Sequence, residues 1–178
     1  VHMPDNRVDG LLQHEVGTHI LTYINGSSQP LNLLASGLDG YDELQEGLAV
    51  LAEYLVGQLS RSRIRLLAGR VVAATYLAQG ATFVDTFRML QRNHDFEQRT
   101  AHRITVRVYR GGGLVKDAIY LRGLVRLLKF IGTGGDIGLL YAGKFGFDHV
   151  PIMTELLHRG ILIPAKLKPT FFDRAEVR

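Results

Sequence analysis

The chain has 178 residues, of which 46% are hydrophobic and 21% are charged, so it can form one compact domain with its own core, and disordered and collagen-like classes are excluded. Its net charge of +4 is mild and its Lys and Arg residues are scattered, which gives nucleic-acid binding little support. The absence of cysteine excludes disulfides and thiolate zinc sites, and leaves His and carboxylates as protein ligands for a metal.

The sequence shows neither the pattern of a signal peptide nor an apolar run of transmembrane length. We therefore expect a soluble, cytoplasmic protein that does not bind membranes, and we predict no particular oligomeric state. Only thirteen residues precede the first candidate metal ligand, His14, and we expect that N-terminal sequence is missing.

Apolar residues recur at helical spacing in most segments, which predicts a mainly α fold and a single domain over residues 1–178. The Gly, Ser, Asn and Pro residues of segment 25–39 predict a loop between the first two helices. Segment 103–109 alternates like a strand, but its short length and helical neighbours favour a helix, which we prefer. The predicted helices lie near residues 8–23, 42–58, 62–78, 81–92, 117–131, 136–143 and 149–158.

The first predicted helix contains HEVGTH at residues 14–19, which resembles the H-E-x-x-H zinc motif but has one extra residue between the histidines. Successive residues of an α-helix turn by roughly 100°, so a spacing of five leaves the two His side chains about 140° apart. A single π-turn would bring both to one face, and Gly17 makes that distortion easier. We therefore predict an irregular helix here, with His14 and His19 as zinc ligands and Glu15 as the catalytic base.

A catalytic zinc ion typically takes three protein ligands, so a third ligand is needed. The best candidate is Glu46, which opens the second apolar helix beside Gly47, a small residue that would let two helices approach closely. The first two helices would then face each other. Glu43 and Glu53 are alternatives; Glu53 lies on the same helical face as Glu46, where it could orient a ligand His or be a solvated surface acid. Four other histidines are interpreted as surface or core residues: His94, His102, His149 and His158.

The glycine-rich segment after residue 106 combines cations and phenols around a turn. A carboxypeptidase must hold the terminal carboxylate of its substrate, which an Arg fork or a Lys does well, and a Tyr hydroxyl can donate to the oxyanion. The alternative has the three glycines as a plain helix–helix turn, Asp117 as an N-cap and the Arg residues in structural ion pairs. The candidate substrate-binding residues are Arg107, Arg110, Lys116 and Tyr120.

The Arg-rich stretch of residues 61–70 (RSRIRLLAGR) is open to two interpretations as well. It could form a phosphate-binding patch. Its apolar positions instead favour an amphipathic helix whose cations extend into solvent, and this is the interpretation we prefer.

Several blocks occur here in the order found in a known family: HEVGTH, QPLNLL, GLDGYDELQEGLAVLAEYLVG and RVYRGGGLVKDAIYLRGL. They resemble the QEGLA-motif family, a domain family of unknown function whose bacterial members are named for flavohemoglobin expression. Its eukaryotic relatives are the microtubule-associated tyrosine carboxypeptidases, metallopeptidases that remove a C-terminal residue from tubulin and use an H-E-x-x-x-H motif.

The resemblance implies a zincin-like helical catalytic domain in which the H-E-x-x-x-H helix packs on a Glu-bearing helix. It implies Zn²⁺ at His14, His19 and Glu46, with Glu15 catalytic and a peptide or protein C-terminus as substrate. It also implies that this chain is the C-terminal catalytic part of a longer protein. We predict a zinc carboxypeptidase; the alternatives are a regulatory module with a closed metal site and a metal-free helical interaction domain.

Overall fold

A computed structural model of the protein describes residues 8–110 and 114–173, without the side chains of residues 114 and 115. This part of the chain is mainly helical and contains no β-strand, which confirms the predicted α class. None of its helices is both long and apolar enough to span a bilayer. The helices are α1 (Val8–His14), a π-helix (Glu15–Ile20), α2 (Leu21–Ser27), α3 (Leu33–Ser36), α4 (Tyr41–Leu55), α5 (Arg61–Ala78), α6 (Phe83–His94), α7 (Gln98–Tyr109), α8 (Leu114–Gly132) and α9 (Val150–His158), with 3₁₀ turns at Leu139–Tyr141, Phe147–His149 and Thr170–Asp173.

The chain divides into two compact units, each with its own hydrophobic core. The first unit comprises Val1–Leu59 and Arg122–Arg178, and the second comprises Ser60–Leu121. Helix α8 contributes residues to both. The single domain over residues 1–178 stays a prediction.

The core of the first unit forms around α4, whose residues are almost all buried. Leu44, Leu48 and Leu51 recur at spacings of four and three, so they share one face of the helix and pack with Leu127 of α8. Burying about four such side chains contributes on the order of 6–12 kcal/mol of hydrophobic free energy. Helix α4 is therefore fixed firmly enough to position polar side chains on its other face.

Gly47 of α4 provides a close helix contact, as its size suggests, but the partner is α8. A Cβ atom built on Gly47 would lie 2.6 Å from the backbone carbon of Gly123, so neither helix tolerates a larger residue there without moving. The prediction that Gly47 lets two helices approach closely is therefore confirmed, and the second helix is α8. The space it leaves is taken by the backbone of α8.

The polar residues of segment 25–39 do more than form a loop. Helix α2 continues to Ser27, and the short helix α3 lies inside the predicted loop, so the loop prediction is wrong at both places. The buried amide of Asn25 donates to the carbonyl oxygens of Tyr141 and Leu167, at 2.9 Å each, and accepts from the Leu167 N–H at 3.0 Å. It therefore anchors two segments that are far away in the sequence.

The predicted helix over residues 136–143 is also wrong, since only a 3₁₀ turn at Leu139–Tyr141 forms. The carbonyl of Tyr141 accepts from Asn25, and that of Ala142 accepts from Gln29 at 3.2 Å, so side-chain amides replace the helical hydrogen bonds. The Asp136 carboxylate also accepts from the Gly138 N–H at 2.7 Å, a local bond that competes with helix formation. The apolar pattern of the segment reflects burial without a regular helix.

The second unit is built from α5, α6 and α7, which pack on one another. Segment 103–109 is helical, as preferred, because Ala101, Ile104 and Val108 lie on one face of α7 and are fully buried. The β-branched Thr105 fits the helix by donating its hydroxyl to the Ala101 carbonyl at 2.8 Å. Helix α6 begins at a capping box in which Thr82 and Asp85 satisfy each other's backbone N–H.

Candidate metal centre

The helix that carries both histidines is distorted between them, and this confirms the predicted irregular segment. Residues Glu15–Ile20 form a π-helix, and α1 and α2 continue on either side of it with helical dihedral angles at both junctions. Thr18 donates its hydroxyl to the carbonyl of Gln13, five residues earlier, at 3.1 Å. The wider turn brings His14 and His19 together, with ring centroids 5.3 Å apart and ring planes at 79°.

Three nitrogen and oxygen atoms converge at this point of the first unit. Oε2 of Glu46 lies 3.5 Å from Nε2 of His14 and 3.9 Å from Nε2 of His19. Zinc ligands at about 2.1 Å in a tetrahedral array lie about 3.4 Å apart, so small side-chain movements suffice to hold an ion. Among the described residues, this is the one group of three or more His, Cys, Asp and Glu side chains that could bind a metal. The donor set of two imidazoles and a carboxylate suits zinc.

The second nitrogen of each imidazole faces an acceptor oxygen on α4. Nδ1 of His14 lies 2.9 Å from Oε1 of Glu53, and Nδ1 of His19 lies 3.2 Å from Oε1 of Gln45. A carboxylate oxygen and an amide oxygen only accept hydrogen bonds, so each Nδ1 carries a proton. In the neutral ring, Nε2 then holds the lone pair, which is the form that binds a metal. Glu53 is buried, so it is not a solvated surface acid.

Burial and neighbouring charges act differently on the two rings. Burial lowers the pKa of His14, but hydrogen bonds and charges from Glu46 and Glu53 outweigh it and raise the pKa from 6.5 to about 9. For His19, burial prevails over the Gln45 hydrogen bond and the Glu46 charge, and its pKa is lowered. At neutral pH and without metal, His14 is therefore an imidazolium ion between two carboxylates. A bound cation would take the place of its Nε2 proton.

The two other acidic candidates occupy different surroundings. Glu15 is the first residue of the π-helix and is exposed, and its negative charge acts on the neighbouring His19. Glu43, the alternative ligand, is buried but turns away from the histidines toward α8, where Oε2 accepts from Arg122 at 2.7 Å and Oε1 from Arg126 at 3.3 Å. Glu43 therefore belongs to an ion-pair network and not to the group of metal-ligating atoms.

The four candidate substrate-binding residues lie in the second unit. The Arg107 Nε donates to the buried Asp117 carboxylate at 2.6 Å, which agrees with a structural ion pair. Asp117 lies inside α8, so its interpretation as an N-cap is wrong. Arg110 and Lys116 are exposed, and Tyr120 is buried with its hydroxyl hydrogen-bonded to Arg107. The glycine turn at residues 111–113 lies outside the described residues.

Comparison with known proteins connects this centre to a family. The family model described as "Microtubule-associated tyrosine carboxypeptidase" matches residues 1–178. The chain belongs to this carboxypeptidase family. The human Microtubule-associated tyrosine carboxypeptidase 1 is 32% identical over 183 residues, which cover 96% of this chain and 37% of the human protein. The mouse protein of the same name is 30% identical over 155 residues, covering 80% of this chain and 32% of the relative.

The chain thus spans about a third of the length of the curated relatives it matches. The expected relation to the microtubule-associated tyrosine carboxypeptidases is confirmed. The blocks HEVGTH and QEGLA, on which that expectation rests, are also the segments that the fold of this family member brings face to face.

Sequence reasoning missed one polar residue of this carboxypeptidase-family centre. Gln45 is buried, and its Oε1 lies 3.2 Å from Nδ1 of His19 and accepts from the Thr22 hydroxyl at 2.8 Å. Its position directly before Glu46, at the start of the QEGLA block, was the available signal. A buried polar residue needs a partner, and here the partner is one of the two candidate metal-ligating histidines.

Proposed function

We propose that this chain forms the catalytic part of a zinc-dependent carboxypeptidase. The observation that carries the proposal is the convergence of His14, His19 and Glu46 on a helix pair whose π-turn corrects the five-residue spacing. Among the described residues no fourth His, Cys, Asp or Glu joins the group, which favours a catalytic ion with an open position over a closed structural site. Membership of the carboxypeptidase family supports the same reaction class.

In this proposal His14, His19 and Glu46 hold the ion, and Glu53 and Gln45 orient the two imidazoles. A zinc ion supplies Lewis acidity toward the scissile carbonyl and lowers the pKa of water toward neutrality. Glu15, which follows the first ligand directly and is exposed, accepts the proton of the attacking water and passes it to the leaving amine. The hydrolysis therefore breaks one peptide bond and consumes one water molecule.

The proposed substrate is the C-terminus of a peptide or protein. The relatives are named for removing tyrosine and for microtubule association. For this chain we propose the reaction class, with Arg107, Arg110, Lys116 and Tyr120 as the residues that recognise the terminal carboxylate. Nothing in the proposal requires that the terminal residue be tyrosine.

The decisive experiment is incubation of the purified, zinc-loaded protein with peptides that differ in their C-terminal residue, followed by mass spectrometry. We expect release of single terminal residues, and loss of that release by about 10²–10⁴-fold in Glu15→Gln, because the amide cannot accept the proton. Glu97→Gln, which makes the same change at an exposed position of the second unit, is the matched control. Zinc content must be equal in all three proteins. Release that survives in Glu15→Gln would overturn the proposed mechanism.

A further inference from the structure

The second unit contains a cavity of about 380 Å³ between α5 and α7, and its wall includes two of the residues proposed above to recognise the substrate carboxylate, Arg107 and Arg110. None of the acidic residues that the structure describes lines it. The polar lining consists of one residue from α5, three from α7 and the residue that follows α7, and aliphatic side chains complete the wall. The polar lining residues are Arg70, His102, Arg103, Arg107 and Arg110.

Arg70 is the most enclosed cation of this cavity, and the interpretation that residues 61–70 extend their cations into solvent is wrong for it. Only 14% of its side chain is exposed. Its Nε–H is buried and meets no acceptor within residues 8–110 and 114–173. A buried donor without an acceptor destabilises the fold, so such donors in folded proteins usually meet a partner.

The Asp117 oxygen that approaches Arg70 makes its shorter contact with another cation. Oδ1 of Asp117 lies 4.0 Å from Nη1 of Arg70 but only 2.6 Å from Nε of Arg107. One carboxylate therefore faces two guanidinium groups, and Arg103 and Arg110 add two more cations at the cavity. Burial and, after it, the charge of Arg107 lower the pKa of Arg70 to about 10.

We infer that this cavity is an oxyanion-binding pocket, here called the arginine pocket, in which Arg70 donates its Nε–H to a carboxylate or phosphate group. A planar guanidinium group can donate two parallel hydrogen bonds to a carboxylate or to a phosphate, and the excess of positive charge favours binding of either anion. The volume accommodates the anion with part of the molecule that bears it. The inference needs neither zinc nor hydrolysis, so it can hold or fail separately from the proposed enzyme activity.

The first test is calorimetric titration of the purified protein with inorganic phosphate. We expect Arg70→Gln to weaken binding about 10–100-fold, because it removes a charge-assisted hydrogen bond. Arg70→Lys should also weaken binding, since a Lys keeps the charge but has no Nε–H fork. Arg99→Gln makes the same charge change at an exposed position of α7 outside the pocket and should bind phosphate as the unmodified protein does. In the unmodified protein, the Nε–H resonance of Arg70 should shift during the titration.

One further variant and a pair of peptide probes make the result unambiguous. If Arg70→Gln does not fold, as judged by circular dichroism, the exposed Arg110→Gln replaces it, and about tenfold weaker binding is expected. Displacement of phosphate by a short peptide acid, but not by the same peptide as its C-terminal amide, would assign the pocket to a peptide carboxylate. Displacement by neither peptide would assign it to a free phosphate group; both results support the site.

Three results would overturn the inference. The first is absence of phosphate binding to the unmodified protein at about 10 mM. The second is equal affinity in the unmodified, Arg70→Gln and Arg110→Gln proteins. The third is a loss in Arg99→Gln as large as that in Arg70→Gln, which would show a general charge effect and not a pocket.

Discussion

The metal centre of the first unit and the arginine pocket of the second both bury charged side chains, but these side chains are compensated differently. At the metal centre each imidazole Nδ1 has an acceptor on α4, Glu53 for His14 and Gln45 for His19. In the arginine pocket, Arg70 has a buried donor without an acceptor in the described part of the chain. The first arrangement presents lone pairs to a cation, and the second presents N–H groups to an anion. The comparison teaches that lone pairs directed into a site indicate a cationic ligand, and that N–H groups directed into a site indicate an anionic one.

The strongest test of this contrast is Glu46→Gln. Losing a residue that only orients a metal ligand reduces metal affinity by up to roughly 100-fold. Glu46→Gln replaces a charged ligand itself, so we expect zinc affinity to fall by more than that. Zinc content after dialysis and competition with a chelator measure the effect. Phosphate binding at the arginine pocket should be unchanged, and a parallel loss there would mean that the variant had lost its fold.

The next effect in size concerns the acceptor behind His14. Glu53→Gln should reduce zinc affinity about 10–100-fold, because the amide holds the His14 ring less strongly and withdraws the negative charge that makes Nε2 a better donor. The matched control is Glu155→Gln, an exposed acid on α9. Equal zinc affinity in Glu53→Gln and the unmodified protein would show that the contact with His14 is incidental.

The smallest effect is the pH dependence of metal binding. Because the pKa of His14 is about 9 in the metal-free protein, zinc must displace one proton below that pH, and its affinity should rise about tenfold per pH unit from pH 7 toward 9. The same proton stabilises the metal-free fold: this contribution is fully present below pH 6.5 and is lost as the pH rises through about 9. Chemical denaturation without metal at several pH values measures it.

Arg70 provides a comparison within the same experiment, because its pKa of about 10 keeps it charged over most of the interval from pH 7 to 9. Zinc affinity should therefore change with pH while the charge of the arginine pocket stays nearly constant. A flat zinc affinity between pH 7 and 9 would contradict the account of His14 as a proton held between two carboxylates.

The sequence predicts the geometry of the candidate metal centre well because that geometry is largely local. HEVGTH contains two candidate ligands whose five-residue spacing requires a distorted helix, and the π-helix at Glu15–Ile20 provides it. Gln45 was missed because contact with His19 depends on how α4 packs against the first helix, and spacing within one helix carries no such information. The roles assigned to these side chains in metal binding and catalysis stay predictions.

The errors have a common physical origin in contacts between distant parts of the chain. Segment 136–143 has a helical apolar pattern, but its carbonyls bond to amides more than a hundred residues earlier, as Tyr141 does to Asn25. The pattern of α5 alone predicts a solvated Arg70, but its side chain is only 14% exposed and lines a cavity with residues of α7. Hydrophobic periodicity indicates which residues are buried, but it does not indicate which backbone groups or charged side chains they contact.

The way the helix accommodates the extra residue in HEVGTH has a consequence beyond the metal centre. Because the π-turn absorbs that residue, α2 keeps nearly the rotational phase that a regular H-E-x-x-H helix would give it. Asn25 therefore still faces Tyr141 and Leu167, which it anchors. Deleting one residue between His14 and His19 should turn the π-helix into a regular α-helix and leave that attachment in place.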